Sequence, residues 1–123
     1  MSEWTYFNRY DFKCKCGCGF NNIDTEFVDK LNEAREIAGV PFVITSGCRC
    51  RKHNAAVSTC GDPLDSPHLK GVAADIAIQN SIVRYLVLTA LVAVGFTRIG
   101  IGRNFIHVDM DDNKPPKVIW NNY

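Results

Sequence analysis

The chain has little excess charge of either sign. Its 123 residues carry a formal net charge of +1, which leaves no electrostatic footprint for nucleic acid. Long apolar runs are absent too. The most hydrophobic stretch, Ile82 to Val94, is too short to cross a bilayer and contains Arg84, so no membrane insertion is expected. Met1 to Asp11 lacks a basic start followed by an apolar run. No signal peptide is therefore predicted, and synthesis in the cytoplasm is expected. Internal repeats and linker composition are also missing. With 46% apolar residues, that points to one globular domain, 1–123, long enough for a real core. Histidine is scarce: chemistry that needs an imidazole must use His53, His68 or His107.

Cysteine is the exception to this scarcity. Six cysteines are many for the length. Cys14, Cys16 and Cys18 alternate in a cysteine-containing N-terminal segment, 1–20; Cys48 and Cys50 alternate; Cys60 stands alone. Without an export signal, disulfides are not the default. The C-x2-C spacing usual in zinc modules is absent, which disfavours a zinc finger. A strand would put Cys14, Cys16 and Cys18 on one face, which suits a cluster or a disulfide partner. Small buried hydrophobes remain an equally open reading.

The stretch that organises the chain is Ser66-Pro67-His68-Leu69-Lys70-Gly71-Val72-Ala73-Ala74-Asp75-Ile76. Asp75 lies in an otherwise apolar run, where a carboxylate is costly unless paired. A metal ion is one such partner, and His68 could supply a neutral imidazole to it. A third ligand is sought in Phe105-Ile106-His107-Val108-Asp109-Met110, where alternation puts His107 and Asp109 on one strand face. Taken singly, each residue has an ordinary reading. An aspartate in an apolar run is often a bulge or turn residue, and a strand histidine is often a satisfied core or surface group.

Local patterns outline the rest. Asp24 reads as an N-cap, followed by Phe27, Leu31, Ala34 and Ala38 at helical spacing. Gly39 and Pro41 end that helix. Phe42 to Thr45 reads as a strand, broken by Ser46-Gly47, and a short helix is expected at Asn54 to Val57. Gly61 to Pro67 is a loop and Ala73 to Ile78 a strand. Asn80 or Ser81 caps a helix to Val94 that is apolar nearly all round and is expected to be the central buried helix. Phe96 to Ile101 and Phe105 to Met110 read as a strand pair, and Pro115 to Trp120 as an ordered edge. The order implies an α+β fold with a largely antiparallel sheet.

Ser46-Gly47-x-Arg49, Ser66-x-His68-x-x-Gly71-x-Ala73-x-Asp75 and Ile106-His107-Val108-Asp109 occur in this order. From about Phe12 to Trp120 the chain resembles the zinc D-alanyl-D-alanine carboxypeptidases, which share a fold with hedgehog signalling domains and include many phage lysis enzymes. The resemblance implies one zinc ion per chain, held by His68, Asp75 and His107 with water in the fourth position. It implies a peptidoglycan stem peptide as substrate, with Arg49, Ser66 and His53 on the substrate side and a guanidinium suited to a carboxylate or carbonyl. A monomer acting on the cell wall after release is expected. One departure stands out. Many relatives carry an acidic residue or histidine three before the last zinc histidine, or a histidine two before it. Here those positions are Asn104 and Phe105. Asp109 is the nearest carboxylate and is assigned as the catalytic base; it could also orient a ligand or replace His107. His53 is the reserve base. Cys48 and Cys60 are further departures, and their pairing would clamp the Arg49 loop to the His68 loop. The competing functions are a non-catalytic zinc-containing recognition module of the same fold, and a cysteine-rich zinc module binding protein or nucleic acid.

Overall fold

The first long helix begins and ends where its capping residues lie. In a computed structural model, which describes residues 4–57 and 66–122, α1 spans Thr25–Ala38. The Asp24 carboxylate accepts the Phe27 N–H at 3.0 Å, satisfying a donor that the helix itself leaves open. Gly39 closes the helix. Phe27, Val28, Leu31, Ala34 and Ala38 form its buried face. β1 follows at Ile44–Ser46, α2 at Arg51–Val57 and β2 at Ala73–Ala77. α3 covers Ser81–Ala93, capped by the Asn80 side chain, which accepts the Val83 N–H at 2.9 Å. β3 (Arg98–Ile101), β4 (Phe105–Asp109) and β5 (Val118–Asn121) complete the chain.

The strands form one sheet in the order β1-β2-β4-β3-β5. All pairs are antiparallel except β3 with β5. The fold is α+β, and the tail expected to be an ordered edge supplies the parallel strand. Alternation divides the sheet into two faces. Ala74 and Ile76 of β2, Ile99 of β3, and Ile106 and Val108 of β4 are buried in the core with α1 and α3. Phe27 and Phe96 meet edge-on at 5.7 Å between centroids. The opposite face carries Asp75, His107 and Asp109.

One expectation is corrected here. α3 is not buried all round: Val87, Ala90 and Leu91 face inward, but Ile82, Tyr85 and Val92 are exposed. The helix packs on α1 and β4 from one side, so its apolar composition exceeds the surface available to cover it. The N-terminal segment reads from its sequence as irregular or weakly stranded, with Gly17 and Gly19 forcing turns, and its cysteines do lie on a turn and not on a strand. Residues 15–18 form a turn, with Gly17 at φ 90° and Gly19 at φ 83°, values that side chains with a Cβ disfavour. The Cys14 N–H donates to the Phe20 carbonyl at 2.8 Å and closes the loop. A 3-10 turn, Arg9–Phe12, precedes it. Phe7 packs against Phe12 and Phe42, anchoring the segment to the core. Among the described residues, no helix is long and apolar enough to cross a membrane. Cys60 and the Gly61 to Asp65 part of the expected loop lie outside the described residues.

Candidate metal centre

Strand register brings the first two site residues together. Asp75 of β2 lies directly opposite His107 of β4, so both side chains rise from the same face. His107 Nδ1 is 3.0 Å from Asp75 Oδ1. His68 arrives from the turn before β2, and its Nε2 is 3.5 Å from the same oxygen. One ligand atom from each residue lies within 4.8 Å of the others. Zinc bonds of roughly 2.0–2.1 Å to nitrogen and oxygen give a tetrahedral edge of about 3.4 Å. The two separations fall on either side of that edge, so the donor set fits zinc. Three protein ligands are the number that leaves a position open for water and substrate.

Each of the three is held by a further partner. His68 Nδ1 is 2.7 Å from the Gly47 carbonyl. That oxygen can only accept, so Nδ1 carries the proton and Nε2 keeps its lone pair toward Asp75. Gly47 can supply this carbonyl because it has no side chain: a Cβ there would lie 2.8 Å from the Phe12 Cα and carbonyl oxygen. The Ser66 hydroxyl accepts the His68 N–H at 3.2 Å, and the Arg49 N–H donates to the His68 carbonyl at 3.2 Å. Ser66, expected on the substrate side, also holds the backbone of the His68 turn.

Arg49 spreads three arms. Its Nε donates to Ser46 Oγ at 2.9 Å, one terminal nitrogen to Asn54 Oδ1 at 3.2 Å, and the other to Asp75 Oδ2 at 3.2 Å. The Asp75 carboxylate therefore divides its work. Oδ2 is held by the guanidinium and Oδ1 faces the two imidazoles.

Asp109, expected to be the catalytic base, meets other groups of the chain through both carboxylate oxygens. Alternation placed it rightly on the face of His107, but its carboxylate is buried and fully engaged. Oδ2 lies 2.7 Å from His107 Nε2, and Oδ1 accepts from Arg98 Nε at 2.7 Å and from the Asp111 N–H at 3.1 Å. The two ring nitrogens of His107 face different carboxylates, Nδ1 to Asp75 and Nε2 to Asp109. Asp109 thus fixes the orientation of the ring, the arrangement that an outer partner gives a metal-ligating histidine. Trp120, brought alongside by β5, packs on the His107 ring at 5.7 Å, with the Arg98 guanidinium 5.1 Å over its own ring. Sequence reasoning missed Trp120, Asn54 and Arg98. It reached the Gly47 carbonyl only through the Ser-Gly-x-Arg motif. His53 lies on α2 beside Asn54; its side chain lies outside the described residues, as does Cys60 of the expected Cys48–Cys60 clamp. Cys48 is buried with its Sγ 3.4 Å from Asn21 Oδ1, and burial pushes its thiol up to about 11.

Protonation follows from these contacts. Burial alone would raise the Asp75 carboxyl, but the bonds from His107 and His68 prevail and hold it well below the usual range. Burial likewise opposes ionisation of Asp109, and the bond and charge of His107, with the bonds from the Asp111 N–H and Arg98, together outweigh it. Burial lowers His68, keeping it neutral at pH 7. Burial would lower His107 too, yet Asp109 and Asp75 together push it up to about 9. A metal-free chain at neutral pH therefore carries a proton between two carboxylates, on the imidazole that a metal would claim. Among the described residues, no buried side-chain nitrogen or oxygen lacks a hydrogen-bond partner.

The sequence matches a protein-family model described as Peptidase M15 over residues 5–109. No curated protein matches it.

Proposed function

The chain belongs to the peptidase M15 family, and from that premise we propose that it is a zinc-dependent hydrolase of bacterial cell-wall stem peptides. Its substrate would be a terminal D-Ala-D-Ala bond or a bond within the stem, as in a phage lysis enzyme reaching the wall after release. The observation that carries this reading is the His68, Asp75 and His107 set, whose ligand atoms lie within 4.8 Å of one another. These three residues would hold the ion. When bound, zinc supplies Lewis acidity that polarises a peptide carbonyl and makes water nucleophilic near neutral pH.

The chain's own groups do the rest. The Gly47 carbonyl keeps the His68 proton on Nδ1. Arg49 holds one oxygen of Asp75 and leaves the other for the site; its remaining N–H capacity suits a substrate carboxylate or carbonyl. Trp120 and the His107 ring form an aromatic wall that limits water on that side. Asp109 keeps Nε2 of His107 occupied, so Nδ1 would be the atom offered to the ion. The proton acceptor in hydrolysis is then a group other than Asp109, and His53, adjacent on α2 to the Asn54 that holds Arg49, is the residue we assign.

One observation favours a second reading, a recognition module of the same fold: the carboxylate that relatives would use as base has no counterpart at Asn104, and Asp109 is committed to His107 and Arg98. Digestion of purified peptidoglycan, with and without added zinc and read by mass spectrometry, separates the two. Zinc-dependent release of D-alanine or cleaved stem peptide supports the hydrolase. Intact peptidoglycan that retains the zinc-loaded protein supports the recognition module.

A further inference from the structure

A second cluster of metal-ligating side chains lies outside the His-Asp-His site. The turn through residues 15–18 and the loop that carries Arg49 bring Cys14, Cys16, Cys18 and Cys50 together, with one sulfur from each within 4.8 Å of the others. Three of the separations are 3.4 Å for Cys14–Cys16, 3.8 Å for Cys14–Cys50 and 3.6 Å for Cys16–Cys50. A disulfide needs sulfurs at about 2.05 Å, and none of these cysteines is in one. Zinc–sulfur bonds of about 2.3 Å in a tetrahedron give an edge of about 3.8 Å. The near-equal triangle is the size of one face of such a tetrahedron, with Cys18 as the fourth corner.

The backbone supports the same chemistry. The Cys50 N–H donates to Cys14 Sγ at 3.4 Å, and the Phe20 N–H to Cys18 Sγ at 3.4 Å. Bonds of this kind stabilise ligating thiolates. Four soft ligands in a tetrahedron select zinc or iron, and a site with all four positions filled by protein is structural. Cys16 and Cys18 are exposed, so an ion has a route in.

We propose that Cys14, Cys16, Cys18 and Cys50 bind a second zinc ion, which fastens the N-terminal segment to the loop supporting the His-Asp-His site. Cys50 follows Arg49, which holds Asp75. Cys14 follows closely on Phe12, whose carbonyl accepts the Cys48 N–H at 2.8 Å and whose backbone packs on Gly47. Gly47 in turn holds His68. The ion joins the two chain segments that set these contacts.

The test counts metal in the full chain purified under reducing conditions. Two zinc ions per chain are expected by mass spectrometry of metals. The His68→Ala variant is expected to keep one, and the Cys16→Ser/Cys18→Ser variant to keep one. Because the cysteine variant can fail to fold, the wild-type protein is also titrated with an organomercurial. Release of one zinc, with the other removed only by a chelator, supports the site. Cobalt loading gives an independent signature: thiolate-to-cobalt charge-transfer absorption is expected and should persist in His68→Ala. One zinc in the wild-type protein, absent charge-transfer absorption, iron in place of zinc, or cysteines recovered as disulfides in the freshly purified chain would each overturn the assignment.

Discussion

Replacing Asp109 with asparagine separates orientation from catalysis. Asn keeps the size and one acceptor but removes the charge that faces His107 and Arg98. As an outer partner of a metal ligand, Asp109 should matter for metal affinity by about 10–100-fold, roughly 1.4–2.8 kcal/mol. A proton term opposes this. With His107 pushed up to about 9, zinc must displace a proton at pH 7, which weakens binding by about two orders of magnitude. The sign follows: Kd rises about tenfold for each unit that pH falls below 9 and levels off above it. Asp75, ionised throughout this range, and neutral His68 contribute no second proton. In Asp109→Asn the largest upward push on His107 is gone, so less proton is displaced at pH 7. The variant should therefore bind zinc almost as well as wild type at pH 7 and fall behind toward pH 9. Chelator competition at several pH values reads this directly. Turnover at saturating zinc should change by less than about tenfold. A loss of two to four orders of magnitude, the usual worth of a general base, would refute the orienting role, and so would an affinity ratio that does not move with pH.

The remaining predictions concern groups around the same face. His107→Ala should abolish zinc at the His-Asp-His site, measured as metal content; full retention would remove His107 from the ligand set. Arg49→Ala should weaken zinc binding as well as raise KM, because Asp75 loses its anchor; a KM effect with unchanged zinc affinity would leave substrate as its main partner. Gly47→Ala should cost about 1–3 kcal/mol of stability by overpacking against Phe12, seen as a lower denaturation midpoint; an unchanged midpoint would show that the loop yields freely. His53→Ala should lower turnover by about two orders of magnitude or more with zinc content preserved; unchanged turnover would pass the role to another group.

How much of this was legible in the sequence depends on the range over which each feature is set. Caps and periodicity act within a few residues, so α1, its Asp24 cap and the face shared by His107 and Asp109 could be read directly. Alternation gives the face of a strand but not what each ring nitrogen meets. That is why Asp109 looked available as a base and is instead bound to His107 and Arg98. The Asp75–His107 pairing depends on the β2/β4 register, which joins segments distant in sequence; the residue pattern offered His107 as a candidate partner, and the motif resemblance singled it out. Trp120 reaches the site through β5 and carries no local mark of doing so. The outward face of α3 was unreadable for the opposite reason: apolar composition says what a helix could bury, not how much surface its neighbours offer.

The proposed cysteine site would escape the spacing rules because its ligand set is not contiguous. C-x2-C spacing is a property of ligand pairs presented by one short turn. Here three sulfurs come from Cys14, Cys16 and Cys18 and the fourth from Cys50, 36 residues beyond Cys14. The positive φ angles at Gly17 and Gly19 curl the first three inward, so alternation no longer spreads them along an edge. Loop 47–50 thereby meets both clusters: Gly47 and Arg49 hold the ligands of one, and Cys50 belongs to the other. Such a loop cannot shift for one cluster without disturbing the other. Removing the thiol-bound ion should accordingly lower affinity at the His-Asp-His site although no sulfur touches it.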